Sequence, residues 1–385
     1  MVLANPGGIA FIGRRAELER LRRAVEPRGL RGIPVLVGPS GIGKTRLARR
    51  VGEELSPQEY IYTYIRFDYV VTSIEELGNV LRRTLEDLRQ RLVRVLGELV
   101  KSVAEKYLPG SSQALTPIRE PLDLVKDLFE GLASAAGEKN AKVIVVLDEA
   151  QNLVNGLGLG VRGFVKILAQ LQEDYPGVFQ SLIVTSDYSF QRTLYREAPS
   201  LDYLDTFYLG EMTRRDAEEL ARLLTGQAPG QELSEFLESV GGHPYHVLRL
   251  ASSSNWRVEH RRQVRKYRQR IAELLHGLGD AGADLRDLLE ELVENPVPFE
   301  RYLNALTSDK VRQAAETLVR DGVLQYACSE YVGIYSWNPD CNDQEREECG
   351  GGGLCGGFDV VAPASRIALA ALTDSLERED ESTWF

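Results

Sequence analysis

The chain has 385 residues, 43% of them hydrophobic, which is enough for one sizeable α/β core and one or two smaller domains. Its formal net charge of -11 argues against a protein that coats nucleic acid through charge alone, and leaves that role to local basic patches. No stretch approaches the roughly 18–20 apolar residues that cross a bilayer, and no charged segment with an apolar signal core opens the chain, so a cytoplasmic location is expected.

The first informative segment is Phe11-Ile12-Gly13-Arg14-Arg15-Ala16-Glu17-Leu18. After it, Ile33-Pro34-Val35-Leu36-Val37 is a short apolar run rich in β-branched residues and reads as a buried strand. It ends at the loop Gly38-Pro39-Ser40-Gly41-Ile42-Gly43-Lys44-Thr45, beyond which Leu47, Ala48, Val51 and Leu55 recur at helical spacing. Strand, glycine-rich loop and helix in that order form the context of a phosphate-binding loop rather than a chance turn. Glycines at 38, 41 and 43 let successive backbone N–H groups curl toward phosphate oxygens, and the helix N-terminus adds partial positive charge. Lys44 then reaches the β- and γ-phosphates as a point charge, and the Thr45 hydroxyl serves a Mg²⁺ ion.

A second strand is expected near Tyr60 to Asp68. It is followed by a helical insert over about 73–140, in which Leu85, Leu88, Leu92, Val95 and Leu96 trace one packing stripe and Pro109 to Pro121 separates two helical parts. Lys142-Val143-Ile144-Val145-Val146-Leu147 is a continuous apolar run closed by Asp148 and Glu149, so a central strand delivers two acids to the sheet edge where ligands bind. Asp148 suits Mg²⁺ binding, and Glu149 suits a general base that polarises the attacking water, with Lys44 beside it in the catalytic set.

The next strand, Ser181 to Val184, runs into Thr185-Ser186-Asp187, whose hydroxyls either sense the γ-phosphate or begin a turn. Arg192 and Arg196 are candidates for stabilising phosphate charge, although solvated helix positions are the preferred reading. A strand over Thr206 to Leu209 completes a five-stranded parallel sheet. Guanine recognition of the Asn-Lys-x-Asp kind has no counterpart at a strand end.

With those residues in place, the chain resembles the archaeal ATPase family, a STAND-type branch of the P-loop ATPases related to AAA+ proteins and archaeal replication-origin initiators. Four pieces carry the likeness over residues 8 to about 250: the segment at 11–18, the loop at 38–45, Asp148-Glu149-Ala150-Gln151, and Gly241-Gly242-His243-Pro244-Tyr245. The resemblance implies that Ile12, Gly13 and Arg14 pack against adenine, and that His243 and Pro244 line the base from a helical lid at 211–275. A second-sensor arginine has no obvious match, although Arg249 lies one helical face further on. The family's fold is a P-loop, AAA+-like α/β core, here 1–210, with ATP and Mg²⁺ as ligands.

Between Trp256 and Arg270 there are seven Arg or Lys residues and a single acid, Glu259. Arg261, Arg262, Arg265 and Lys266 are candidate phosphate-backbone contacts, against the preferred reading of a solvated connecting helix. From Asp284 the pattern reads as helix (285–293), helix (299–306), a cap at Ser308, helix (309–320), then alternating residues with Phe358 to Val361 as a return strand. This is the order of a winged helix-turn-helix over 280–375, a module that the family carries, with Lys310, Arg312 and Gln313 where base edges would be met.

The wing tip opposes DNA binding, because Asp340, Asp343, Glu345, Glu347 and Glu348 face only Arg346. It also carries Cys328, Cys341, Cys349 and Cys355, whose spacing leaves disulfides, free thiols or an irregular metal site open. The expected activity is ATP hydrolysis that repositions the C-terminal module. The alternative is a DNA-binding protein in which ATP only stabilises the bound state, and protein partners also fit.

Overall fold

The computed structural model describes residues 11–28, 32–108, 120–198, 200–226, 230–327 and 360–377. The four cysteines and the acidic residues Asp340, Asp343, Glu345, Glu347 and Glu348, which the sequence assigns to an expected wing tip, lie outside them. The chain forms two compact units: one of Leu18–Val37 and Lys44–Phe207, the other of Met1–Glu17, Gly38–Gly43 and Tyr208–Phe385. No described helix is long and apolar enough to cross a membrane.

The chain enters through α1 (Arg15–Val25), β1 (Ile33–Val37), α2 (Lys44–Glu54) and β2 (Tyr60–Arg66). An insert follows whose described residues form α3 (Ile74–Arg91), α4 (Arg94–Tyr107) and α5 (Pro121–Gly137). Then come β3 (Lys142–Asp148), α6 (Ala150–Gly156), α7 (Val161–Asp174), β4 (Phe179–Val184), α8 (Tyr188–Glu197) and β5 (Leu204–Tyr208). The strands form one sheet in the order β2-β3-β4-β1-β5, with parallel pairing of β2 to β3, β3 to β4 and β4 to β1.

β1 and β4 are buried along their whole length, β1 as a continuous apolar run and β4 with Gln180 and Ser181 enclosed alongside Phe179, Leu182, Ile183 and Val184. β2 lies at the edge and alternates, with Tyr60, Tyr62 and Tyr64 half-buried and Ile61, Thr63 and Ile65 buried. Register aligns the C-terminal ends: Leu36 pairs with Val184, Val184 with Asp148, and Asp148 with Arg66. Because β4 lies between β1 and β3, the residues just past Val184 emerge beside the two acids.

The insert departs from the expected single stripe. Helix α3 ends at Leu92 in extended backbone (φ -87, ψ 156), α4 restarts after Val93, and Val95 is 62% exposed. The break resets the helical phase, so Leu85, Leu88 and Leu96 are buried on two helices while Val95 faces solvent. Gly97 admits the turn between them, since a Cβ there would lie 3.1 Å from the Arg89 carbonyl oxygen.

The other unit contains α9 (Arg214–Thr225), α10 (Gln231–Val240), α11 (Pro244–Ala251), α12 (Trp256–Leu278) and α13 (Ala283–Glu294). After these come β6 (Val297–Pro298), α14 (Phe299–Ala305), α15 (Asp309–Arg320), β7 (Leu324–Ala327), β8 (Val360–Pro363) and α16 (Arg366–Glu377). Thr213, Asn255 and Ser308 start α9, α12 and α15 by accepting backbone N–H groups, and Pro244 occupies the first turn of α11.

Ile12, Met212, Leu220, Phe236, Val240, Val247, Leu250 and Ile367 share one apolar cluster. Further along, β6, β8 and β7 form an antiparallel sheet over the buried side chains Leu288, Leu292, Tyr302, Leu318 and Val361. The short β6 and the terminal helix α16 had no place in the sequence expectation.

Candidate nucleotide-binding and hydrolytic site

The loop after β1 needs its glycines for two reasons. Gly38, Gly41 and Gly43 have φ values of +149, +80 and +106, which L side chains rarely adopt. Space is also closed at two of them: a Cβ at Gly38 would lie 2.4 Å from the Leu209 carbonyl oxygen, and one at Gly41 would lie 2.7 Å from Tyr245 Cβ and 3.2 Å from His243 Cε1. The expected nucleotide residues Gly41 and His243 are thereby neighbours. Ser40 and Gly41 lie at the exposed tip, while Pro39 and Ile42 are buried beneath it.

Gly13 and Arg14 both turn through positive φ, at +60 and 60. The turn is seated on α9, where the Asp216 carboxylate accepts the Arg14 backbone N–H at 3.5 Å and leaves no room for a Cβ at Gly13. Arg14 is 5% exposed, and its guanidinium donates to the carbonyl oxygens of Gly210 at 2.7 Å and Ile42 at 3.2 Å while pairing with Glu17. Its side chain thus clamps the phosphate loop from behind. Ile12 is buried in the helical cluster, and His243 occupies the N-cap position of α11, without a side-chain cap bond, with Pro244 following.

Lys44 and Thr45 begin α2, where the helix N-terminus concentrates positive potential. Burial lowers the Lys44 ammonium to about 8, and the nearby carboxylates of Glu149 and Asp148 oppose that fall. Thr45 Oγ1 donates to Asp148 Oδ2 at 2.8 Å, and the Tyr64 hydroxyl donates to the same oxygen. Arg49 lies 4.9 Å above the Tyr64 ring, and Arg66 Nε is 4.0 Å from Asp148 Oδ2. Burial pushes the Asp148 carboxyl up, while the hydrogen bonds from Tyr64 and Thr45 pull it back.

Asp148 Oδ1 is buried and has no hydrogen-bond partner among the described residues. A buried carboxylate oxygen left unmatched beside a hydroxyl on a helix N-terminus fits a divalent cation with its water shell, as Mg²⁺ sites on phosphate loops require.

Glu149 follows in left-handed backbone (φ 56, ψ 44), a conformation that costs a non-glycine residue about 1–2 kcal/mol and turns the chain sharply from β3 into α6. Its carboxylate receives the Ser186 hydroxyl at 3.2 Å and Gln151 Nε2 at 2.5 Å. Thr185 Oγ1 donates to Gln151 Oε1 at 2.9 Å, and Asp187 accepts from Ser189 N and Phe190 N to cap α8. The Thr185 and Ser186 hydroxyls thus belong to the acid cluster, while Asp187 opens the helix.

Tyr64 and Gln151 had no role in the sequence reading. Gln151 stood in a quoted motif, but nothing in the sequence gave its partner. Tyr64 carried no signal beyond strand alternation.

The remaining candidates stand elsewhere. Arg196 is an exposed α8 residue paired with Glu197 at 2.9 Å, and Arg192 is half-buried on the same helix. Arg249 is engaged by Glu259 at 3.0 Å and by the Tyr245 hydroxyl at 2.9 Å. Arg261, Arg262, Arg265 and Lys266 are exposed on α12, whereas Arg257, Arg268 and Arg270 on that helix pair with Glu235, Asp374 and Asp321. Lys310, Arg312 and Gln313 are exposed in the first turns of α15.

Residues 11–250 match the family described as the ATPase domain predominantly from Archaea. Among solved structures, the Walker-type ATPase of Pyrococcus abyssi is 15% identical over 94% of this chain and 96% of that one, with a TM-score of 0.54. The ORC2 protein of Aeropyrum pernix in its ADP form is 15% identical over 97% of each chain, with a TM-score of 0.47. Cdc6p of Pyrobaculum aerophilum is 14% identical over 98% of this chain and 100% of that one, with a TM-score of 0.40. No curated protein matches.

A lysine and threonine that leave a glycine loop to meet an Asp-Glu strand end, on a fold shared with a Walker-type ATPase, define a P-loop ATPase. With its match over residues 11–250, this chain belongs to the family of ATPase domains found predominantly in Archaea, and its reaction is the hydrolysis of ATP.

Proposed function

We propose that the loop 38–45 binds ATP with Mg²⁺ and that hydrolysis switches the position of a C-terminal winged-helix module, in the manner of STAND and AAA+-like ATPases. The observation that carries the chemical part is the buried, half-satisfied Asp148 carboxylate held by Thr45 beside Lys44. Thr45 and Asp148 would hold Mg²⁺, which supplies neutralisation of phosphate charge when bound. Loop amides and the Lys44 ammonium bind the β- and γ-phosphates, and Glu149 takes a proton from the attacking water while Ser186 and Gln151 hold its carboxylate. Arg14 acts through the loop it clamps, with Ile12 and Gly13 on the same turn, and His243 and Pro244 line the base from the helical lid.

The winged-helix reading is supported by the succession α14, α15, β7 and β8 with a short β6 completing an antiparallel sheet. The test is paired variants. Lys44→Ala abolishes nucleotide binding, and Glu149→Gln binds ATP without cleaving it; hydrolysis at the parental rate in both overturns the mechanism.

A second reading, DNA as partner, is favoured by one observation. Arg261 and Arg265, like Arg262 and Lys266, are one helical turn apart and exposed on α12, and only Arg262 makes an ion pair among the described residues. Lys310 and Arg312 are also exposed on α15, where Arg312 pairs with Asp309 at 3.3 Å. A gel shift on mixed-sequence DNA that weakens with salt and disappears when the four α12 charges are neutralised supports it; no shift at low salt removes it.

A further inference from the structure

The acid cluster contains a hydrogen-bond chain whose direction is fixed by proton counting. Thr185 has one hydroxyl proton, and its oxygen accepts the Asp187 backbone N–H at 3.0 Å while donating that proton to Gln151 Oε1 at 2.9 Å. With its carbonyl end so occupied, the Gln151 amide must turn its N–H₂ toward Glu149, and Nε2 lies 2.5 Å from Oε2. Gln151 is 8% exposed and Thr185 1%, so water does not compete for these bonds.

The Glu149 main chain has no comparable freedom. Its N–H is bound to the Val184 carbonyl and its carbonyl to Asn152 N–H, each at 2.9 Å. The side chain is the part that can swing. Ser186 reaches both carboxylate oxygens at 3.2 Å and so does not choose between them, whereas Gln151 holds one.

We infer that Gln151 is the positioning residue that sets the direction of the Glu149 carboxylate and ties it, through Thr185 and Asp187, to the first turn of α8. The inference rests on Glu149 as the hydrolytic base. Asp187 is both the backbone donor to Thr185 and the cap of α8, whose Ser189 and Phe190 N–H groups it accepts at 2.8 and 3.1 Å. A shift of α8, driven by phosphate or by a partner, is thereby read out as a rotation of the base. An amide suits this place because its two ends differ: it offers a donor to the carboxylate and an acceptor to the hydroxyl.

The test uses the full chain with steady-state ATP hydrolysis, titration of Mg²⁺ with a fluorescent ATP analogue, and thermal melting as a check on folding. Gln151→Ala and Thr185→Val each lower kcat about tenfold, as loss of orientation of one catalytic group does, with nucleotide affinity within about twofold of the parent. Thr185→Ser, which keeps the hydroxyl, retains parental kcat. The double variant is no slower than Gln151→Ala alone, because both substitutions break one chain.

Parental kcat in Gln151→Ala overturns the inference, as do losses that multiply in the double variant or affinity that falls in step with kcat. The Glu149→Gln variant separates the two readings. Parental hydrolysis there defeats the base assignment itself, whereas an inactive Glu149→Gln beside a fully active Gln151→Ala defeats only the relay.

Discussion

Thr45 Oγ1 and Asp148 Oδ2 lie 2.8 Å apart, so a hydroxyl on the first turn of α2 and a carboxylate at the end of β3 are joined directly. The bond, together with that from Tyr64, leaves Oδ1 as the oxygen with nothing to accept among the described residues. Asp148→Asn keeps an oxygen for Thr45 but removes the charge that a divalent cation needs. The expected outcome is a drop of about tenfold or more in the ratio of ATP affinity with Mg²⁺ to that with a chelator, and a smaller drop for Thr45→Ala. Calorimetric titration under both conditions checks it, and an unchanged ratio in Asp148→Asn removes the metal assignment.

The second prediction concerns pH. Lys44 is lowered to about 8 by burial, with Glu149 and Asp148 opposing. Anionic phosphates favour the charged ammonium, so its pKa is higher in the nucleotide complex than in the free protein. Binding therefore takes up a proton between those two values, and ATP affinity falls as pH rises through about 8. Lys44→Arg, which does not lose its proton in this range, flattens that limb. Calorimetry in two buffers of different ionisation enthalpy measures the uptake directly, and zero uptake at pH 8.5 contradicts the assignment.

Glu211 gives a prediction about stability. It is half-buried against the Gly-Gly-His-Pro turn, accepts Gly242 N–H at 2.9 Å, and is raised to about 7 by desolvation of its carboxylate, with that hydrogen bond and the charges of Arg366 and Arg14 pulling it down. The folded pKa of this acid lies above the ordinary glutamate value of 4.5, so the unfolded chain loses the proton first. Folding stability accordingly falls as pH rises from about 4.5 to about 7 and stays reduced above that. At about 1.4 kcal/mol per pKa unit the difference is on the order of 3 kcal/mol. Glu211→Gln keeps an acceptor for Gly242 and removes the penalty, so its melting temperature exceeds the parent's at pH 8 and matches it at pH 5. Equal melting temperatures at pH 8 refute this account.

The sequence carried the sheet and the acids because their signals are local. Residues 33–37 and 142–148 are apolar runs with a loop or carboxylates at their ends, and β1 and β3 coincide with them. The strand order could not be read in that way, and it is β4, lying between β1 and β3, that brings Thr185 and Ser186 to Glu149. Tyr64 reaches Asp148 only through the pairing of β2 with β3, a long-range register that alternation alone does not specify. Arg14 shows the same limit. Its motif was legible, but its hydrogen bonds to Ile42 and Gly210 depend on a chain reversal 28 and 196 residues away. The terminal helix α16 did have a local pattern, Ile367, Ala368, Ala371 and Leu372 at helical spacing, and all four are fully buried.

Gly41 supports the last prediction, because two independent constraints meet there. Its φ of +80 costs an alanine about 1–2 kcal/mol, and the added Cβ would stand 2.7 Å from Tyr245 Cβ, a short and inflexible part of that side chain. The loop cannot relieve the clash by moving inward, since Ile42 beneath it is fully buried and its carbonyl is held by Arg14 at 3.2 Å. Gly41→Ala is therefore expected to displace the loop tip and weaken ATP binding by about tenfold or more, with only a small loss in melting temperature because the tip is exposed. Combining it with Tyr245→Ala leaves that Cβ in place and recovers little affinity, whereas Tyr245→Gly removes the obstructing atom and recovers the part due to the clash. Equal recovery in the two combinations would show that the tyrosine ring rather than its Cβ limits the loop, and full parental affinity in Gly41→Ala alone would show that the turn tolerates a side chain.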